Sequence, residues 1–110
     1  MIIYEEEYRV QANKIAQWHE NHLKFEELMK NLDAPTFLKG WWVWQDRFTP
    51  GLIRCVWVVE ELGDIERLWD ECFLHNEEWA EMVPKIFDTM VDGTYKYSFW
   101  KPVSNEQSLP

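Results

Sequence analysis

The two side chains in this sequence best placed to move a proton are His22 and Glu6. His22 interrupts the run Ile15, Trp18, His22, Phe25, Met29, Leu32, whose spacings of three and four put every member on one face of a helix. A neutral imidazole on that face could act as a general base or donate a hydrogen bond to a ligand. The competing reading is a core or rim histidine satisfied by a backbone carbonyl. Glu6 stands between Tyr4 and Tyr8 on one face of a strand. If that face meets the helices, burial raises the carboxyl's pKa, while a protonated His22 beside it would lower it. Such a pair is what proton abstraction or enolisation of a small carbonyl compound requires. The alternative for Glu6 is a solvated position in the acidic run Glu5, Glu6, Glu7.

Aromatic residues are the second resource. Trp41, Trp42, Trp44, Trp57 and Trp100 could stack on a flat ligand such as a polyketide, quinone or porphyrin, or simply pack a core and a subunit interface. Alternation sets Trp42 and Trp44 on one strand face and Trp41 on the other, so only a subset can share a pocket. The set assigned to ligand contact is Tyr4, Tyr8, Trp18, Trp42, Trp44, Trp57, His75 and Trp79. His19 and His22 are three apart with no acid in a clear geometry, so no metal site is assigned. Nucleotide loops, zinc spacings and Ser-His-Asp signatures are absent, and no cofactor is assigned.

Ile2 to Val10 alternates as a first strand with Glu5, Glu7 and Arg9 on its far face, where Arg54 or Lys96 could answer them. Asn13, a good N-cap type, opens a helix running to about Asn31, which Asp33, Ala34 and Pro35 break. Thr36 to Phe48 and Leu52 to Leu62 are strands around Thr49-Pro50-Gly51. A Pro-Gly pair favours a type II turn, which fits strand twist poorly, so a longer or bulged connection is expected. A second helix opens at Gly63-Asp64 with Ile65, Leu68, Trp69, Cys72, Trp79, Met82, Val83, Ile86 and Met90 on one face, a possible restart at Asn76 and a kink near Pro84. Asp92-Gly93 stops it, and Thr94 to Lys101 is the last strand. The pattern predicts an α+β, ferredoxin-like βαββαβ domain over 1–103, with a four-stranded antiparallel sheet covered on one side, and a loose tail over 104–110. Both faces of nearly every strand carry large side chains, so the uncovered face needs a partner, expected to be a second copy of the chain.

Composition narrows the partners further. The chain has 110 residues, 20 acidic against 11 basic, for a net charge of −9, and no cluster of Lys and Arg. A phosphate backbone or an anionic membrane surface would be repelled. No apolar run approaches the roughly 20 residues that cross a bilayer. Cys55 and Cys72 lack metal-ligand spacing and read as buried thiols in a reducing cytoplasm.

The opening strand Ile2-Ile3-Tyr4-Glu5, the segment Asn76-Glu77-Glu78-Trp79-Ala80-Glu81-Met82-Val83 and the closing Trp100-Lys101-Pro102-Val103 resemble the dimeric α+β barrel superfamily, and within it the small NIPSNAP-type and antibiotic-biosynthesis-monooxygenase-type domains. The resemblance implies a homodimer with sheets face to face and a ligand cavity between each sheet and its own helices. It carries over no catalytic residues. Heme-degrading members of the superfamily ligate heme through a histidine on the second helix, where His75 is expected, although the surrounding Leu74-His75-Asn76 does not reproduce a diagnostic motif. The function expected is binding of a small apolar or aromatic molecule, with cofactor-independent monooxygenation or isomerisation of an aromatic or polyketide-like substrate as the catalytic version. The alternatives are a non-catalytic binding or interaction protein and a heme-handling protein.

Overall fold

A strand that alternates large apolar and charged residues can be interior to a sheet only if both its edges are paired and one face is covered. The computed structural model, which describes residues 1–32 and 35–103, does this for β1 (Ile2–Arg9). β1 pairs antiparallel with β3 (Leu52–Val59) on one side and β4 (Lys96–Trp100) on the other, and β2 (Leu38–Gln45) pairs antiparallel with β3. The sheet order is β2-β3-β1-β4, the ferredoxin-like arrangement. The expected helix break at Asp33 and Ala34 and the expected tail over 104–110 lie outside the described residues.

Register fixes the faces. Tyr4 lies opposite Trp57 and Phe99, and Glu6 opposite Cys55 and Tyr97; Trp41 lies opposite Trp57 and Val43 opposite Cys55. These residues share the face that the helices cover. The other face carries Glu5, Glu7, Arg54, Trp42, Trp44 and Trp100, and the Arg54 guanidinium bridges Glu5 at 3.1 Å and Glu7 at 2.9 Å.

The β2–β3 connection runs over residues 46–51, longer than a two-residue hairpin. Thr49 O accepts from Leu52 N at 3.1 Å, and Gly51 has φ +87°, the positive value a type II turn needs after its proline. The Asp46 carboxylate accepts from the backbone N–H groups of Phe48 and Thr49, and so bridges the strand end to this turn.

The helix α1 (Ile15–Asn31) presents the expected stripe, with Trp18 and Met29 buried. Its start differs from expectation: Asn13 lies within a 3₁₀ turn, Ala12–Lys14, and no side chain caps α1. Tertiary contacts hold this end instead. The Gln11 amide donates to the carbonyls of Asp88 and Met90, and the Lys14 ammonium donates to that of Asp88. The second helix is not continuous. α2 (Asp64–Arg67) runs into a π-helical segment, Leu68–Phe73, in which Leu74 N reaches back to Trp69 O at 2.8 Å. The extra residue in that turn moves Phe73 into the core, where regular α spacing predicts Cys72. The chain restarts at α3 (Glu77–Phe87), where the Asn76 side chain caps the N–H groups of Glu78 and Trp79. Pro84 lies inside α3, which ends three residues later.

The buried residues form two clusters rather than one. The larger gathers Tyr4, Trp57, Phe73, Trp79 and Met82 with their neighbours; the smaller consists of Tyr8, Val10, Trp18 and Ile53. Ile86 packs against both.

Candidate functional site

Between the two clusters lies a cavity of about 80 Å³. Its floor is the covered sheet face, with Glu6 and Tyr8 from β1, Val43 from β2, and Cys55 and Trp57 from β3. Trp18, His22 and Phe25 of α1 form one wall; Trp69, Phe73, Trp79, Val83 and Ile86 form the roof. The lining is predominantly apolar and aromatic, with a few polar groups, which is the composition of small-molecule sites. Its volume has room for a few waters and is smaller than the ~150 Å³ cavity that takes up benzene, so a ring compound enters only as the walls move apart.

Glu6 is the charged group of the floor. Its Oε1 accepts from the Trp57 indole N–H at 3.0 Å, and its Oε2 accepts from the Tyr95 hydroxyl at 2.5 Å. The Tyr4 hydroxyl lies 3.0 Å from that of Tyr95 and extends the chain. Burial pushes the Glu6 carboxyl above its ordinary range, and the Tyr95 and Trp57 hydrogen bonds pull it part of the way back. The same burial, together with the Glu6 charge, pushes Tyr4 up to about 12 and raises Tyr95 and Cys55, so the phenols and the thiol stay protonated near neutrality. Glu6 is the carboxyl of the floor, and burial shifts it toward its protonated form.

His22 is held from the helix side. Its ring stacks on Trp18, with centroids 5.0 Å apart and planes 3° from parallel, and its Nε2 lies 3.2 Å from the Glu26 carboxylate. Burial lowers its pKa, partly offset by Glu26. The imidazole is thus favoured in its neutral form.

The sequence reading set His22 and Glu6 side by side. The structure puts both on one cavity but joins them by no hydrogen bond: both Glu6 oxygens are engaged by Trp57 and Tyr95, and His22 turns to Glu26. Tyr8, Trp18, Trp57 and Trp79 line the cavity as expected, and the Trp18 indole donates to the Tyr8 hydroxyl at 2.8 Å. Four placements differ in detail. Trp42 and Trp44 face away from the cavity, because they alternate with Trp41 and Val43, which occupy the covered face. Tyr4 belongs to the larger core cluster and reaches the site only through Tyr95. His75 falls in the exposed turn before α3 rather than on a helix, outside the cavity, because the π segment and the Asn76 cap end one helix and start another around it. Tyr95 itself was missed. Its position two residues before Tyr97 on an alternating segment was legible, but its contact with Glu6 depends on β4 pairing with β1.

Among the described residues, no helix is long and apolar enough to cross a membrane, and no group of three or more His, Cys, Asp or Glu could hold a metal ion.

No family model matches the chain, and no curated protein matches it in sequence. Solved structures do match in fold. An antibiotic biosynthesis monooxygenase superposes with a TM-score of 0.72 at 12% identity, over 94% of this chain and 100% of the other. A NIPSNAP domain protein from Burkholderia xenovorans gives 0.67 at 16% identity, over 98% and 100%. A variant of SnoaB, a cofactor-independent oxygenase from Streptomyces nogalater, gives 0.67 at 9% identity, over 99% and 96%. At such identities the likeness is one of fold, and that fold is the one shared by the antibiotic-biosynthesis-monooxygenase and NIPSNAP types, as the resemblance implied.

Proposed function

We propose that this protein binds a small aromatic carbonyl compound in the cavity beneath its helices and removes a proton from it with Glu6. The observation that carries this reading is a buried carboxyl, displaced upward in pKa, on the floor of an otherwise aromatic cavity. An ionised carboxylate there is a stronger base than one in water, and a carbon acid next to a carbonyl is the substrate it suits. Trp57 and Tyr95 hold the carboxylate in place, while the aromatic walls pack a flat ring and limit water. In this reading His22, on the wall and favoured in its neutral form, takes part in passing the proton onward.

The carbanion left by deprotonation, delocalised onto the carbonyl oxygen, has two productive fates. Return of the proton to another carbon is isomerisation. Reaction with dioxygen turns the CH₂ into C=O, one oxygen atom being inserted and the other leaving as water. The fold likeness to a cofactor-independent oxygenase supports the second. The active assembly in this reading is a homodimer joined through the open sheet face, on which Trp42, Trp44 and Trp100 are 40%, 54% and 58% exposed. The unpaired thiols of Cys55 and Cys72 fit a reducing, cytoplasmic setting.

The test uses 2-tetralone, a bicyclic ketone with acidic benzylic protons. In D₂O, exchange of those protons followed by ¹H NMR reads proton removal, and an oxygen electrode reads oxygenation. Glu6→Gln is expected to slow exchange by about 10²- to 10⁴-fold. Equal exchange rates in the wild type and Glu6→Gln would refute the assignment, whereas saturable binding without exchange in the wild type would leave a binding protein in place of an enzyme.

A further inference from the structure

The polar groups that line the cavity find partners within the protein: Glu6 has Trp57 and Tyr95, Trp18 and Tyr8 have each other, and His22 has Glu26. The indole N–H of Trp79 does not. It makes no hydrogen bond to any described residue, although the residue is only 1% exposed. Among the described residues, every side-chain nitrogen or oxygen sealed from open space does have a partner. The Trp79 N–H is therefore not sealed, and Trp79 is one of the residues that line the cavity. A second indole on the lining without a protein acceptor, Trp69, is only half-buried and can reach outside water, so its N–H carries no such implication.

Buried indole N–H groups ordinarily find an acceptor. This one also sits on a tightly packed ring. The Trp79 ring stacks on Phe73 with centroids 4.4 Å apart and meets the Phe25 ring nearly at right angles at 5.2 Å. A donor clamped in this way loses little entropy when an acceptor arrives.

We infer that Trp79 is the specificity-determining donor of the cavity, and that the ligand is a ring compound carrying an acceptor oxygen, a ketone or phenolate, directed at the α3 roof. This rests on the ligand class proposed above and adds its orientation: oxygen toward Trp79 in the helix layer, acidic C–H toward Glu6 in the sheet layer. Removing the proton then builds negative charge on the oxygen that Trp79 already holds, which gives the donor a stronger interaction in the transition state than in the bound ketone.

The experiment compares 2-tetralone with tetralin, the same skeleton without the oxygen, on full-length protein labelled with ¹⁵N at the indole nitrogens. The Trp79 resonance is identified by its loss in Trp79→Phe. With 2-tetralone it should move downfield and saturate, and with tetralin it should not. Trp79→Phe should bind 2-tetralone about fivefold more weakly and tetralin equally well. Nuclear Overhauser contacts from the indole N–H to the Phe73 and Phe25 rings identify the same resonance in the wild type, so the test stays decisive even if the variant folds poorly. Equal movement with both probes, or movement of other indoles with Trp79 unaffected, would overturn the inference. Glu6→Gln separates the two proposals, because it should abolish proton exchange yet leave the Trp79 shift intact. Exchange in the wild type without a Trp79 shift sinks only the donor assignment.

Discussion

Replacing Tyr95 by Phe should weaken the fold by an amount that grows with pH. The substitution removes one hydroxyl, which donates to Glu6 Oε2 at 2.5 Å and lies 3.0 Å from the Tyr4 hydroxyl. The ring remains in contact with Phe87 and Tyr97, so no large packing defect is added. With Glu6 ionised the lost bond is to a charged acceptor, about 1.5–3 kcal/mol; with Glu6 protonated it joins neutral groups, about 0.5–1.5 kcal/mol. The difference, ~1–1.5 kcal/mol, is the pH-dependent part of the penalty. Its sign follows from burial, which raises the folded-state pKa of Glu6 above the ordinary 4.5. The folded protein then binds this proton more tightly than the unfolded chain, so the stabilisation is fully present below the unfolded pKa and is lost as pH rises through the folded one. Removing the Tyr95 donor raises that pKa further and steepens the loss. His22 has the opposite sign: burial lowers its pKa from 6.5, so its contribution is present above 6.5 and lost as pH falls through the lowered value. It is common to both proteins and cancels in the difference. Urea melts at one protein concentration, at about pH 4 and about pH 8, give the penalty at each end. In a Glu6→Gln background the hydroxyl should cost the neutral amount at both. A penalty that is flat with pH, or larger in acid, would refute the reasoning.

Three further outcomes follow from packing and backbone geometry. Trp79→Ala removes a fully buried ring between Phe73 and Phe25 and should cost ~3–5 kcal/mol in urea melts, the range for large core truncations. Gly51→Ala should cost about 1–2 kcal/mol from the positive φ alone, and more because a Cβ there would stand 3.0 Å from the Val10 carbonyl oxygen. Trp42→Glu places a charge on the open sheet face without touching the cavity, so sedimentation should show a wild-type dimer and a folded monomeric variant with unchanged ligand binding.

The parts of the site that were legible before the fold was known are those that local periodicity sets. Alternation in β1 puts Tyr4, Glu6 and Tyr8 on one face, and the three-four spacing of α1 puts Trp18, His22 and Phe25 on another. Both faces turn inward because each mixes its polar residue with large apolar ones whose burial outweighs one carboxyl or imidazole. The restart at Asn76 and the long connection around Pro50-Gly51 were legible too, since a cap and a turn depend on a few adjacent residues.

What the sequence by itself determined, then, was the class of fold and the grouping of Tyr4, Glu6 and Tyr8 on one strand face and of Trp18, His22 and Phe25 on one helix face. The tertiary structure alone decided what they meet. Tyr95 reaches Glu6 from 89 residues away, a contact that exists because β4 chose the free edge of β1, and that choice is settled by burial summed over the whole sheet. The π segment, which brings Phe73 against Trp79 and is followed by the exposed turn that holds His75, is not visible in the three-four spacing of the sequence. By the same packing the Trp79 ring lies against Phe73 and Phe25 in the cavity lining, and its N–H has no acceptor among the described residues.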